Sequence, residues 1–132
     1  MNLSDLATTR ADEGAVLELR HPATDEVIEG MTITLLGKDS ATYRKIELRR
    51  TQAVLHRVNK GKKAAELDAE KLQDDTLDDL VALTKGWSGF EEGGKEITFS
   101  PAEAKKIYAN PGLRFIREQA EAFINDRANF FR

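Results

Sequence analysis

The side chains able to do chemistry are few and poorly spaced for it. His21 and His56 are the only histidines, one in a proline-containing turn and one on a basic stretch with helical patterning. A Ser-His-Asp arrangement needs its nucleophile in a defined elbow or loop, and no Gly-x-Ser-x-Gly occurs. The pairs Asp74-Asp75 and Asp78-Asp79 could hold a hard cation. A calcium loop, however, sets acids at alternate positions around a central glycine and closes on a glutamate. Acids at a helix start more simply cap free amides and oppose the macrodipole. Glu92-Gly93-Gly94-Lys95 lacks the spacing and preceding strand of a P-loop, and reads as a tight turn with Gly93 or Gly94 at positive φ. The chain has no cysteine, which removes disulfides, zinc-thiolate sites and thiol nucleophiles. The residues therefore predict no enzymatic activity, no metal site and no cofactor.

Charge is unevenly placed. Over 38–63, nine Lys/Arg stand against two acids, and over 64–83, seven acids stand against one lysine. Arg44, Lys45, Arg49, Arg50, Arg57 and Lys60 could track a nucleic-acid backbone. A helix that reads a groove would add Asn, Gln, Ser or Thr on one face, and the net charge of -3 has the wrong sign for such a partner. Two solvated helices that attract each other explain the same blocks. A nucleic-acid-binding module using the basic helix 44–63 is therefore the alternative rather than the expectation.

The elements that position these groups follow from patterning. A chain of 132 residues, 40% apolar and 33% charged, fits one soluble domain with a real core. Residues 1–13 read as a flexible N-terminus, with no basic region and apolar core of a signal peptide. Ala15 to Arg20 alternates around Val16, Glu18 and Arg20 as a strand; Pro22, Thr24 and Asp25 turn the chain; 27–36 returns as a second strand, with Gly30 at a bulge or join. Asp39 or Ser40 caps a helix over 41–59 whose apolar stripe runs through Tyr43, Ile46, Val54, Leu55 and Val58. A second helix, over 62–73, is exposed and rests on propensity. A third starts at Asp74 or Asp75, buries Leu77, Leu80, Val81 and Thr84, and ends on Gly86 in a left-handed cap. Ser100, Pro101 and Glu103 form a capping box for a fourth, which faces Ala104, Ile107 and Tyr108 inward until Asn110-Pro111. The last, over 112–130, sets Leu113, Ile116, Ala120, Phe123, Ile124 and Phe131 on one stripe and its charges on the other. The expected fold is mainly α with a small β part: an N-terminal antiparallel β-ribbon over 14–37, then a compact bundle of four or five helices over 38–132, in a single domain of residues 1–132. No apolar run is long enough to cross a bilayer, so no membrane is expected and the cytoplasm is the predicted compartment.

Between the third and fourth helices lies Trp87-Ser88-Gly89-Phe90-Glu91-Glu92-Gly93-Gly94-Lys95-Glu96-Ile97-Thr98-Phe99. It holds the only tryptophan and two of the six phenylalanines. Trp87, Phe90 and Phe99 must pack against something, either as anchors that plug the bundle or as partner-binding groups. Phe130 and Phe131 near the last position raise the same pair of readings, core closure or a surface for self-association.

A helix ending in Trp-x-Gly-Phe, a Gly-rich turn, Ile-x-Phe-Ser, a helix reaching Asn-Pro and a terminal amphipathic helix together resemble the C-terminal half of tail assembly chaperones from long-tailed, siphovirus-type bacteriophages or prophages. The resemblance covers roughly 76–131 and is carried mainly by 87–111. It implies a non-enzymatic protein of the host cytoplasm, absent from the mature virion. Such a protein binds the tape measure protein, keeps it soluble and promotes recruitment of tail tube subunits. It further implies that this is the short, non-frameshifted form, a longer frameshifted product making most of the contact with the tail tube protein. A phage head or tail completion protein is the other structural alternative.

Overall fold

The computed structural model describes residues 1–60 and 73–131, with the side chains of 57–60 outside that description. After a 3-10 turn at Leu3–Leu6, one helical turn, Arg10–Glu13 (α1), leads into Ala15–Arg20 (β1), which pairs antiparallel with Val27–Leu35 (β2). Ala15, Leu17 and Leu19 turn inward, while Val16, Glu18 and Arg20 turn outward, as the alternation predicts. The His21 amide donates to the Glu26 carbonyl at 2.8 Å and the Asp25 amide to the His21 carbonyl at 2.9 Å, which closes the connecting turn. The ladder slips between Glu18 and Arg20, and β2 carries its extra residues through Gly30.

The ribbon is not the whole sheet. Thr84–Ser88 (β3) pairs antiparallel with the other side of β2, which gives the strand order β1-β2-β3. The sequence placed Thr84 on a buried helix face, Gly86 in a left-handed cap and Trp87 in a loop. Instead the helical run over 73–82 (α3) stops short, and Gly86 stands in the ladder opposite Thr34. A two-stranded ribbon is marginal and leaves backbone donors and acceptors of β2 unpaired. Pairing them outweighs one more turn of helix. The fold is thus mainly α with a small β part, and the three-stranded sheet draws its third strand from the part of the chain expected to form the helical bundle. The helix expected over 62–73 lies outside the described residues except for Gln73, which belongs to α3.

Ser40 caps Ala41–Lys60 (α2), its Oγ accepting from the Tyr43 amide at 3.1 Å, while Asp12 accepts from the Ala41 amide at 2.8 Å. Ile46 is buried and Tyr43 half-buried. Val54 and Leu55, expected on the same inward stripe, are exposed. The nine positions from Ile46 to Leu55 make roughly two and a half turns, so the two side chains leave opposite sides of the helix.

Ser100 caps Pro101–Ala109 (α4) by accepting from the Glu103 amide at 3.1 Å, and Ala104, Ile107 and Tyr108 are buried as expected. Arg114–Asn125 (α5) packs against β1, β2 and α4 through a core that includes Ile116, Ala120 and Ile124. Gln119 closes one end of β1, its amide oxygen accepting from the Arg20 N–H and its nitrogen donating to the Arg20 carbonyl, both at 2.8 Å. The helix ends at Asn125, short of the expected 130. Asp126 accepts from the Ala128 amide, and a 3-10 turn over Arg127–Phe130 buries Phe130 instead of Phe131. Phe130 sits with Ala11 and Ala15 and meets Phe123 edge-on at 5.5 Å. Outside this contact, Asp39 accepts from Arg127 Nε at 2.9 Å and from the Thr8 hydroxyl at 2.9 Å, which ties both chain ends to the turn before α2.

Two outcomes follow for stability. Gly89 leaves β3 at φ +77, and a Cβ there would lie 2.1 Å from the Gly30 carbonyl oxygen. In urea unfolding, Gly89→Ala costs more than about 2 kcal/mol, because positive φ and a backbone clash combine; Gly93→Ala, at positive φ in open space, costs only about 1 kcal/mol. The hydrogen bond from Arg127 holds the Asp39 carboxyl below its ordinary value of 3.8. The unfolded chain therefore takes up this proton first on acidification, and the contribution of Asp39, present above pH 3.8, is lost as pH falls through the folded value. Asp39→Asn flattens the fall in stability over that window; an unchanged pH profile would remove Asp39 from the account.

Candidate functional site

No arrangement for bond-making chemistry assembles from the groups that the sequence singled out. The exposed His21 accepts through Nδ1 from the Ala23 amide at 3.1 Å, which is a turn contact, and His56 lies exposed on α2. The acids of α3 serve as ion-pair partners. Lys105 on α4 meets Asp74 at 2.9 Å and Asp78 at 3.0 Å, and these two carboxylates raise the lysine pKa. On the other side, the buried Asp79 takes Arg49 on one oxygen and Arg50 Nε, at 3.1 Å, on the other. The acidic helix is thereby pinned to a cation-bearing helix on each side. Among the described residues, no group of three or more His, Cys, Asp or Glu is placed to hold a metal ion, and no helix is long and apolar enough to cross a membrane.

The ion pairs sort the basic residues. Arg49 and Arg50 are engaged with Asp79, whereas Arg44 and Lys45 have no ion-pair partner among the described residues. Arg57 and Lys60 lie on α2 with side chains outside the description. The same helix presents Leu48 and Leu55, each 61% exposed. They stand one above the other at i and i+7, with Thr51 and Gln52 between and Arg44 and Lys45 a turn below. Sequence reading missed Leu48 and assigned Leu55 to the core. The available signal was the spacing itself: 48 and 55 share a face that Ile46 does not.

The aromatic residues of the connection close on one another. Trp87 stacks on Phe90 with ring centroids 4.6 Å apart and meets Phe99 edge-on at 4.9 Å. Its indole N–H donates to the Ile97 carbonyl at 2.8 Å. Between them, Glu91–Glu92 (β4) and Lys95–Glu96 (β5) form a hairpin whose turn, Gly93-Gly94, has both residues at positive φ. Phe90 and Phe130 are buried, Trp87 and Phe99 half-buried, and Phe131 is 37% exposed. The structure thus gathers Trp87, Phe90 and Phe99 into one cluster and places Phe130 in a second, with Ala11 and Ala15.

Beside the hairpin runs a groove of about 340 Å³. Met31, Ile97, Leu113 and Phe115 give it apolar walls, and Glu91, Glu92 and Glu103 make its rim acidic, with Lys106 the one cation lining it among the described residues. The outer face of α2, flanked by Arg44 and Lys45, and this groove carry opposite charge. No protein-family model matches the chain, and neither the curated proteins nor the solved structures searched contain a match.

Stability and surface should separate on mutation. Asp79→Ala removes the acceptor of two arginines that are about half exposed and can turn to water, so urea unfolding falls by about 1–2 kcal/mol. Leu48→Ser with Leu55→Ser stays within about 0.5 kcal/mol per site.

Proposed function

We propose that this chain is a bacteriophage tail assembly chaperone, non-enzymatic, which binds the tape measure protein in the host cytoplasm, keeps it soluble and promotes recruitment of tail tube subunits. The sequence resemblance over 87–111 and the terminal helix suggests the role. The observation that carries it physically is the exposed Leu48–Leu55 face of α2, rimmed by Arg44 and Lys45. A long amphipathic helix is recognised through anchors at i, i+3, i+4 and i+7 on an apolar surface. Two leucines at i and i+7 offer the matching spacing, and the flanking cations favour a client with acids beside its apolar stripe. Leaving two leucines in water forgoes roughly 1.5–3 kcal/mol each of possible burial, which a client helix would recover.

The nucleic-acid reading draws on the same helix. Two of its six cations, Arg49 and Arg50, are already held by Asp79, so the phosphate-facing charge left among the described side chains is Arg44 and Lys45.

Co-expression with a phage tape measure protein tests the proposal. The chain should move that protein into the soluble fraction and co-purify with it. Leu48→Asp with Leu55→Asp should stay folded by circular dichroism and lose at least about tenfold in affinity. A client equally insoluble with and without the chain would sink the reading, and steep salt-dependent binding to duplex DNA instead would favour the nucleic-acid module.

A further inference from the structure

The groove beside the β4–β5 hairpin has no part in the contact proposed above, and its chemistry asks for a different occupant. Its floor is core, with Phe90, Ile107 and Ile116 buried. Its walls, Met31, Ile97, Leu113 and Phe115, are half-buried and open at the surface. The hairpin strands are two residues each, and all four side chains are exposed. Core packing therefore does not dictate their composition. Yet Glu91 stands directly opposite Glu96, where like charges repel. Glu91, Glu92 and Glu96 have no ion-pair partner among the described residues, although Lys95 lies across the ladder from Glu92. On α4, Glu103 adds a further carboxylate to the lining and meets Lys106 at 3.6 Å.

We infer that this groove takes a short segment of another protein in which a large apolar side chain is flanked by Lys or Arg. An anchor entering the trough covers apolar walls that the fold leaves in contact with water. Cations beside it meet Glu91 and Glu92 and relieve the repulsion between Glu91 and Glu96. A segment with acids beside its anchor would set carboxylate against carboxylate and is rejected. The open trough suits a side chain carried on a polypeptide, because a site for a free small molecule encloses most of its ligand. This preference is the reverse of that on α2, where Arg44 and Lys45 favour acids beside the apolar stripe. The groove therefore selects a different segment from the one that fits α2, and the inference does not rest on the chaperone reading.

Trp87, the only tryptophan, stacks on Phe90 of the groove floor at 4.6 Å, so its emission reports an occupant. The full chain is titrated with three tryptophan-free peptides. One has leucine at i, i+3, i+4 and i+7 and lysine elsewhere; the second replaces the lysines by glutamate, and the third replaces the leucines by serine. The leucine–lysine peptide should change the emission to saturation below about 100 μM, with the other two at least about tenfold weaker. Glu91→Lys with Glu92→Lys, checked for fold by circular dichroism, should reverse the preference towards the leucine–glutamate peptide. Glu18→Lys with Glu29→Lys makes the same charge change at exposed strand positions outside the groove, and should keep the wild-type preference. No saturable change with the leucine–lysine peptide would overturn the inference. So would either control peptide binding equally well, or the two charge variants behaving alike, which would reduce the effect to net charge. Emission that already shifts with protein concentration alone would make a second copy the occupant and overturn it too. Leu48→Asp with Leu55→Asp should leave the titration unchanged, so this inference and the chaperone reading fail separately.

Discussion

Ile33 of β2 stands directly opposite Trp87 of β3, and the C-terminal half is fastened through that strand. β2 is the central strand, so its backbone groups can be met on both sides only if a third strand arrives. Residues opposite one another in a ladder share a face, so Trp87 follows the buried Ile33 inward. There its ring stacks on Phe90, meets Phe99 just before the cap of α4, and its N–H fixes the Ile97 carbonyl. At the other end of β3, Thr84, opposite Leu35, shares a 2.7 Å hydrogen bond with the Tyr108 hydroxyl on α4. Burial pushes that hydroxyl up to about 12, so it stays neutral and keeps the contact. One strand thereby fixes the hairpin and both halves of α4 against the sheet.

That arrangement determines which surfaces remain free. The core includes Ile116, Ala120 and Ile124 of α5 and Ala104 and Ile107 of α4, against the inward residues of the strands. α2 makes a side contact, in which Ile46 enters the core, Tyr43 packs on it and Arg50 lies over the Tyr43 ring at 5.9 Å. The acidic α3 then holds the helix through Asp79 and holds α4 through Asp74 and Asp78. An ion-paired helix needs fewer apolar contacts to stay in place, and α2 can therefore turn Leu48 and Leu55 to solvent. The exposed face and the buried carboxylate are parts of one solution.

Legibility in the sequence followed the range of the interaction. Local signals were readable: the alternation of β1, the Ser100-Pro101 start of α4, the Gly93-Gly94 turn and the inward set Ala104, Ile107 and Tyr108 each arise within a few residues. β3 was not. Thr84-Lys85-Gly86-Trp87-Ser88 has no β-branched alternation and continues the helical spacing of Leu77, Leu80 and Val81; its strand state exists because β2, some fifty positions earlier, needs a partner. The end of α5 was misplaced for a similar reason. Phe130 and Phe131 are equivalent in composition, and only Asp126 breaking the helix decides which of them turns in. For the candidate site, the charge blocks were legible but not which cations remain available, since that depends on Asp79 being buried between Arg49 and Arg50.

The outer face of α2 shows why a binding surface can be hidden in a helix that also reads as a core element. Ile46 and Tyr43 satisfy the requirement that the helix bury one side, and an eye drawn to that stripe extends it through Val54 and Leu55. A helix cannot hold Ile46 and Leu55 on one narrow stripe, because about 100° per residue carries them to opposite sides. Apolar residues that break the phase of the buried stripe and reappear together on another side, as Leu48 and Leu55 do, serve no packing role among the described residues. Their persistence in water needs a different reason, and cations placed a turn away supply solubility without covering them. Such a face can change its partner by substitution at two exposed positions while Ile46, Tyr43 and the Asp79 contact keep the helix where it is, so recognition and folding are separable on this one element.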